Sequence, residues 1–208
     1  MSNSSYKTVK TEAEEEYIVK RSRFIGYIKP VKTSEEAIAF IQKISKKHWD
    51  ATHNVYAYII KDENVKKYSD DGEPQGTAGI PVLDVLEKNG LTDCAVVVTR
   101  YFGGIMLGAG GLVRAYSHSA SVAVNAGKII TMDICAEIKV VCDYNFYGKL
   151  SSLIIEEGGK IISTVYEDNV TVKFTLENDK FNLFNSKLID ASNGRYSAEK
   201  IDEFYSEI

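Results

Sequence analysis

What this chain lacks narrows it first. Its three cysteines, Cys94, Cys135 and Cys142, show no C-x-x-C spacing. Neither a disulfide frame nor a zinc site is expected, and they read as buried free thiols of a reducing cytosol. There are three prolines and no low-complexity tract, which argues against long disordered linkers. No apolar stretch follows basic residues near the start, so no secretory signal is expected and the chain reads as cytoplasmic. The longest apolar run, residues 103–113, is broken by glycine and too short to span a bilayer. Neither a G-x-x-x-x-G-K-[ST] loop nor a clean G-x-G-x-x-G dinucleotide fingerprint occurs. No serine or cysteine nucleophile is arranged by motif with His48 or His53, and His118 reads as a packing residue. No metal and no cofactor are expected.

What is present is an ordinary globular composition, 44% hydrophobic and 26% charged over 208 residues, enough for one large domain or two small ones. The net charge of −4 is uneven. Residues 1–133 carry 17 Lys and Arg against 16 Asp and Glu, while residues 134–208 carry 8 against 13. The tail is an acidic unit unsuited to a polyanion, so any nucleic-acid contact falls on local patches of the first part. A boundary is expected between 1–133 and 134–208.

Residues 1–14 are polar and read as frayed. Glu16–Ile28 reads as one or two strands. Thr33 and Glu36 form a capping box, and Ala37, Ile38, Ile41 and Ile44 give a helical stripe. His53–Ile60 is a central strand with both faces apolar, and residues 68–79 are loop by composition. Pro81 opens a helix that Asn89-Gly90 closes. Cys94–Phe102 is a buried strand, and a helix from Gly111 to Asn125 is stopped by Gly127. Residues 136–208 read strand–helix–strand–strand–helix–strand, with a weak repeat at an offset of 35 that pairs Phe146 with Phe181, Leu153 with Leu188, Ile154 with Ile189 and Gly159 with Gly194. Two such halves suit a ferredoxin-like sandwich.

The stretch RYFGGIMLGAGGLVRAY places Gly103, Gly104, Gly108, Gly110 and Gly111 between Arg100 and Arg114. Strand, glycine turn and helix leave backbone N–H groups at a positive helix end, an anion site that two arginines can flank. The same glycines serve left-handed turns and close helix packing, and both roles are carried forward. Asp70, Asp71 and Glu73 form an acidic group that reads as a solvated turn at Asp71-Gly72 or, less simply, as an acidic site. Lys43, Lys46 and Lys47 complement a helix end, or join Lys20, Arg21 and Arg23 in a basic edge.

DDGEPQGTAGIPVLDVL, followed by VVVTRYFGGIMLGAGGLVRAY, closely resembles the signature of the IMPACT/YigZ family, and RSRFIGYI and HNVYAYII fit its pattern. The resemblance covers residues 16–127, and the acidic tail resembles the second domain of bacterial members. It implies an α+β protein: a first domain with the fold of a ribosomal protein's second domain, and a ferredoxin-like α/β sandwich. Such a pair resembles the end of translation elongation factor G, and eukaryotic relatives regulate translation through a protein activator of a stress kinase. The surface implied by the motif match comprises Arg21, Ser22, Arg23, His53, Arg100, Gly103, Gly104, Gly108, Gly110, Gly111 and Arg114, with Asp70, Asp71, Glu73, Gly76 and Thr77 beside it. The functional expectation is a translation-associated regulator that binds RNA or a protein of that machinery. The alternative is an enzyme acting on a phosphorylated or peptide substrate at the glycine loop.

Overall fold

Alternation along three strands explains the first half of the chain. In β3 (Ser22–Pro30), β4 (His53–Ile60) and β6 (Cys94–Tyr101), one set of side chains faces one layer and the alternate set the other. Phe24, Ile28, Val55, Ala57, Val96 and Val98 pack toward α2 (Gly79–Lys88) and α3 (Ala109–Gly127). Ile25, Tyr27, Tyr58, Ile60, Ala95 and Val97 pack toward α1 (Ser34–Lys47). A sheet covered on both faces needs continuous apolar strands, and each fully buried large side chain among them contributes about 1.5–3 kcal/mol.

This is a computed structural model, and it describes residues 5–207. The chain divides into two compact units, Tyr6–Thr131 and the described residues from Met132 onward. Both mix helix and sheet, an α+β architecture with five α-helices among the described residues. Among those residues no helix is long and apolar enough to cross a membrane.

In the first unit the antiparallel sheet runs β2-β3-β6-β4-β5, with β2 at Ala13–Val19 and β5 at Val65–Ser69. His53 lies opposite Arg100, Arg23 opposite Tyr101, and Tyr56 opposite Ser69. The start of β3, the start of β4 and the ends of β5 and β6 therefore share one end of the sheet. Residues 6–14 are not frayed as expected. β1 (Tyr6–Val9) buries Tyr6, Thr8 and Val9, and the Thr8 hydroxyl donates to the Asp93 carbonyl at 3.0 Å.

Thr33 caps α1 by accepting from the Glu36 N–H. The Glu36 carboxylate reaches past it to the Lys32 N–H at 2.8 Å. The buried stripe of α1 is Ala37, Phe40 and Ile44, with Ile41 partly buried against the same core; the expected stripe holds at Ala37, Ile41 and Ile44 and fails at Ile38, which faces solvent while Phe40 packs inward. Gly127 does not break α3. It is the last helical residue, and the left-handed turn falls on Lys128 at φ 59°. A side chain at 127 would meet Ile28 Cγ2 at 2.8 Å.

The second unit orders its strands β10-β7-β9-β8, with β7 at Ile129–Cys142, β8 at Lys160–Tyr166, β9 at Val170–Glu177 and β10 at Glu199–Glu207. α4 (Tyr144–Glu156) and α5 (Phe181–Ala191) cover one face. β9 alternates strictly between buried and half-buried residues, as a sheet covered on one side requires. The two helix ends do match at an offset of 35, since the N–H groups of Gly159 and Gly194 donate to the carbonyls of Ile154 and Ile189, each at 2.8 Å. The buried faces instead match at 34: Leu150 and Ile154 in α4 correspond to Phe184 and Leu188 in α5.

Candidate functional site

The turn at Arg21, His53, the DDGEP run and the glycine loop come to the shared end of the sheet. Lys20 and Arg21 turn from β2 into β3 with both residues left-handed, at φ 44° and 66°. The glycine loop closes over this turn, and the Gly103 N–H donates to the buried Ser22 hydroxyl at 3.1 Å. A Cβ at Gly103 would lie 2.1 Å from the Arg21 carbonyl carbon, so only glycine permits the approach. Gly104 and Gly108 supply left-handed backbone at φ 80° and 71°, whereas Gly110 and Gly111 lie within α3.

The turn falls at Asp71-Gly72 as expected, closed by the Glu73 N–H donating to the Asp70 carbonyl at 3.0 Å, but the three carboxylates of Asp70, Asp71 and Glu73 go to three different partners. Asp70 accepts from the N–H groups of Gly76, Ala78 and Gly79 at 2.8–3.1 Å, and so caps α2 from outside the helix. Burial alone would raise its pKa, but those three donors outweigh it and hold the carboxyl below its ordinary range. Asp71 ties to β4 instead, its carboxylate accepting from the Asn54 N–H at 2.6 Å and its carbonyl from His53 Nδ1 at 2.7 Å. Because a carbonyl only accepts, Nδ1 carries the proton and a neutral His53 keeps a free lone pair on Nε2.

Glu73, only 8% exposed, turns inward to Arg100, which is 5% exposed. The Arg100 Nη1 donates to Glu73 Oε1, and the Tyr116 hydroxyl donates to the same oxygen at 2.8 Å. His53 Nε2 lies 3.7 Å from it. Burial, then the Glu73 charge, raises the Tyr116 phenol far above its ordinary range, so it remains a donor. Arg100 also lies over the rings of Phe24 and Phe102, at 5.4 and 5.5 Å, and its Nε has no partner. A buried guanidinium already paired with a carboxylate is not an open grip for phosphate.

Above this group opens a cleft of about 370 Å³, walled by Phe102, Met106, Leu107 and Leu112, with His53, Glu73 and Arg100 at the polar side and Gly108–Ala109 at the rim. Arg114 does not share it. Arg114 lies beyond Leu107 in a second depression with Lys20, Tyr17 and His118, where Tyr17 and His118 stack at 4.4 Å. The two arginines that bracket the glycine loop thus serve different places.

Half of the expected basic edge is paired with carboxylates. Lys43, Lys47 and Arg23 pair with Glu12, Glu14 and Glu16 at 2.6–3.0 Å, alternate residues leading into and along β2. A spacing of two in that acidic run is the signal by which sequence reasoning could have found these partners. Sequence reasoning also passed over the exposed apolar side chains here. Met106 is 86% exposed and Trp49 83%, and Phe102 and Ile105 are exposed in the same loop as Met106. His48 anchors this region. It accepts from the Tyr27 hydroxyl at Nε2 (2.6 Å) and donates from Nδ1 to the Tyr101 oxygen (2.9 Å), since Tyr101 spends its own proton on Asp50 at 3.0 Å.

Residues 20–124 match the Impact N-terminal domain, and residues 140–195 match a domain of unknown function, DUF1949. IMPACT family member YvyE of Bacillus subtilis is 41% identical over 98% of this chain and 94% of its own length. Protein IMPACT of Oryctolagus cuniculus is 37% identical over 43% of this chain and 29% of its own. A solved structure described as that of a hypothetical protein aligns over 96% of this chain and 98% of its own, with a TM-score of 0.61 and 32% identity. With one model spanning the first unit's motifs and a bacterial relative aligned almost end to end, the chain belongs to the IMPACT family.

Proposed function

We propose that this protein is a translation regulator that binds a protein of the translation machinery through the end of the first unit's sheet where the glycine loop lies. The observation that carries the reading is that exposed Phe102 and Met106 wall an apolar cleft, with exposed Ile105 in the same loop. Aromatic residues, methionine and arginine are enriched where proteins meet, and lysine is depleted. Translation enters from the family resemblance and the kinship with Protein IMPACT. Against RNA as the direct ligand, Arg23, Lys43, Lys47 and Arg100 are each matched by a glutamate, which lowers the charge available to a phosphate backbone.

The test is affinity capture from a cell lysate with and without nuclease, with the captured proteins identified. The expected result is a ribosomal protein or translation factor retained after nuclease and lost with Met106→Asp, a change at an exposed side chain. Loss on nuclease treatment, with Met106→Asp without effect and Arg114→Ala lowering the salt slope of RNA binding by about one unit, would place RNA on the Lys20–Arg114 depression and overturn the reading.

A further inference from the structure

We propose that the cleft beside the glycine loop receives an extended peptide segment, seating one large aliphatic side chain and holding the adjoining peptide group between His53 and the first turn of α3. This rests on the protein-partner reading and states what the partner presents. A volume of about 370 Å³ falls in the range of formed ligand sites, roughly 300–1,000 Å³. The walls, Phe102, Met106, Leu107 and Leu112, offer no hydrogen bonds from their side chains and suit an aliphatic group.

The polar side decides the class of ligand. The charges of Arg100 and Glu73 cancel within the pair. An entering phosphate or carboxylate would meet the Glu73 carboxylate as closely as the Arg100 guanidinium, and a cation the reverse. What remains is a neutral pattern. With Nδ1 committed to the Asp71 carbonyl, the neutral ring of His53 offers Nε2 as an acceptor. The rim is the start of α3, where Gly108 provides no side-chain cap and the first N–H groups have no intrahelical partner. The Arg100 guanidinium itself is held by Glu73 and by the rings of Phe24 and Phe102, so it closes the floor of the cleft and leaves the hydrogen bonding to His53 and the start of α3. An acceptor and free helix N–H groups around an apolar space are complementary to the N–H and C=O of a peptide group, and the internal pairing of Arg100 with Glu73 leaves no unmatched charge to favour an ionic ligand.

The experiment titrates the ¹⁵N-labelled full chain with N-acetyl-leucinamide, N-acetylglycinamide and sodium phosphate. The leucine probe is expected to shift the backbone amides of His53, Ala109 and Gly110 saturably. The glycine probe, lacking the side chain, should bind roughly tenfold or more weakly. Ala109→Trp, at an exposed rim position, should abolish the shifts while melting with the parent; Met106→Glu is the second blocking variant if it does not. Equal binding of the two acyl amides, shifts with phosphate alone, or no shift with any probe overturns the proposal. The outcome is separable from that of lysate capture. Capture without binding of the leucine probe leaves the protein-partner reading standing and removes the cleft, whereas the converse keeps the cleft and removes the translation partner.

Discussion

Removing the carboxylate of Glu73 leaves Arg100 charged and only 5% exposed, with Nε and Nη1 both unpartnered. It also takes the acceptor from the Tyr116 hydroxyl. Breaking a buried pair by deleting one partner costs about 3–5 kcal/mol. The Tyr116 loss overlaps with this and is not added to it. For a unit of this size that corresponds to a fall in melting temperature of roughly 10–20 °C. Arg100→Met strands the carboxylate instead, which a proton can relieve, so that variant should lose less at pH 5 than at pH 8. Glu73→Leu with Arg100→Met removes both charges and should recover most of the loss, because a buried ion pair is readily replaced by apolar packing. The assay is calorimetry and urea unfolding of all four proteins. If Glu73→Ala melts within about 2 °C of the parent, as a surface substitution would, the pair does not organise this end of the sheet.

Gly103→Ala should destabilise severely or fail to fold, since its Cβ would lie 2.1 Å from the Arg21 carbonyl carbon, whereas helical Gly110→Ala should be neutral or stabilise by up to about 1 kcal/mol in thermal melts. Asp70→Ala should cost about 2 kcal/mol by leaving three backbone donors without an acceptor; urea unfolding that matches the parent would remove its capping role. Burial, then Lys47 and Arg23, lower the affinity of folded His48 for a proton below its ordinary 6.5, so its stability contribution is complete above pH 6.5 and is lost as pH falls from there through the lowered folded value. His48→Gln should flatten that part of the stability–pH curve, and an unchanged slope would refute the assignment. Limited proteolysis near residues 130–137, or separate expression of 1–133 and 134–208, should yield two folded fragments, as circular dichroism and melting would register.

The elements of the fold were legible where one local rule decided them. The apolar runs of β4 and β6, the Thr33 cap and the Asn89-Gly90 stop depend on neighbours in sequence. In α1 only Ile38 was misplaced, because Ile38 and Phe40 are both apolar and only the packed sheet selects Phe40. Residues 6–14 looked frayed because their burial depends on partners far along the chain, such as Asp93 for Thr8. The motifs of the site could be found, but not their pairing. DDGEP gives no hint that its first carboxylate caps a helix, its second ties down a histidine and its last enters the core. That division follows from the left-handed Asp71 and Gly72, at φ 44° and 84°. Arg100 and Arg114 looked like two sides of one grip because 14 residues in sequence say nothing about Leu107 standing between them.

The antiparallel register that gathers these loops also fixes a ruler. β4 runs from His53 at the cleft to Ile60 before the turn at 61–64, and eight residues at about 3.4 Å each set that turn roughly 25 Å away. All three native thiols are buried and harder to ionise than usual, Cys94 pushed up to about 12. A maleimide dye would therefore react selectively with a single cysteine introduced at exposed Asp62. From there, energy transfer to a labelled partner reads the distance to whatever settles at the far end without touching it.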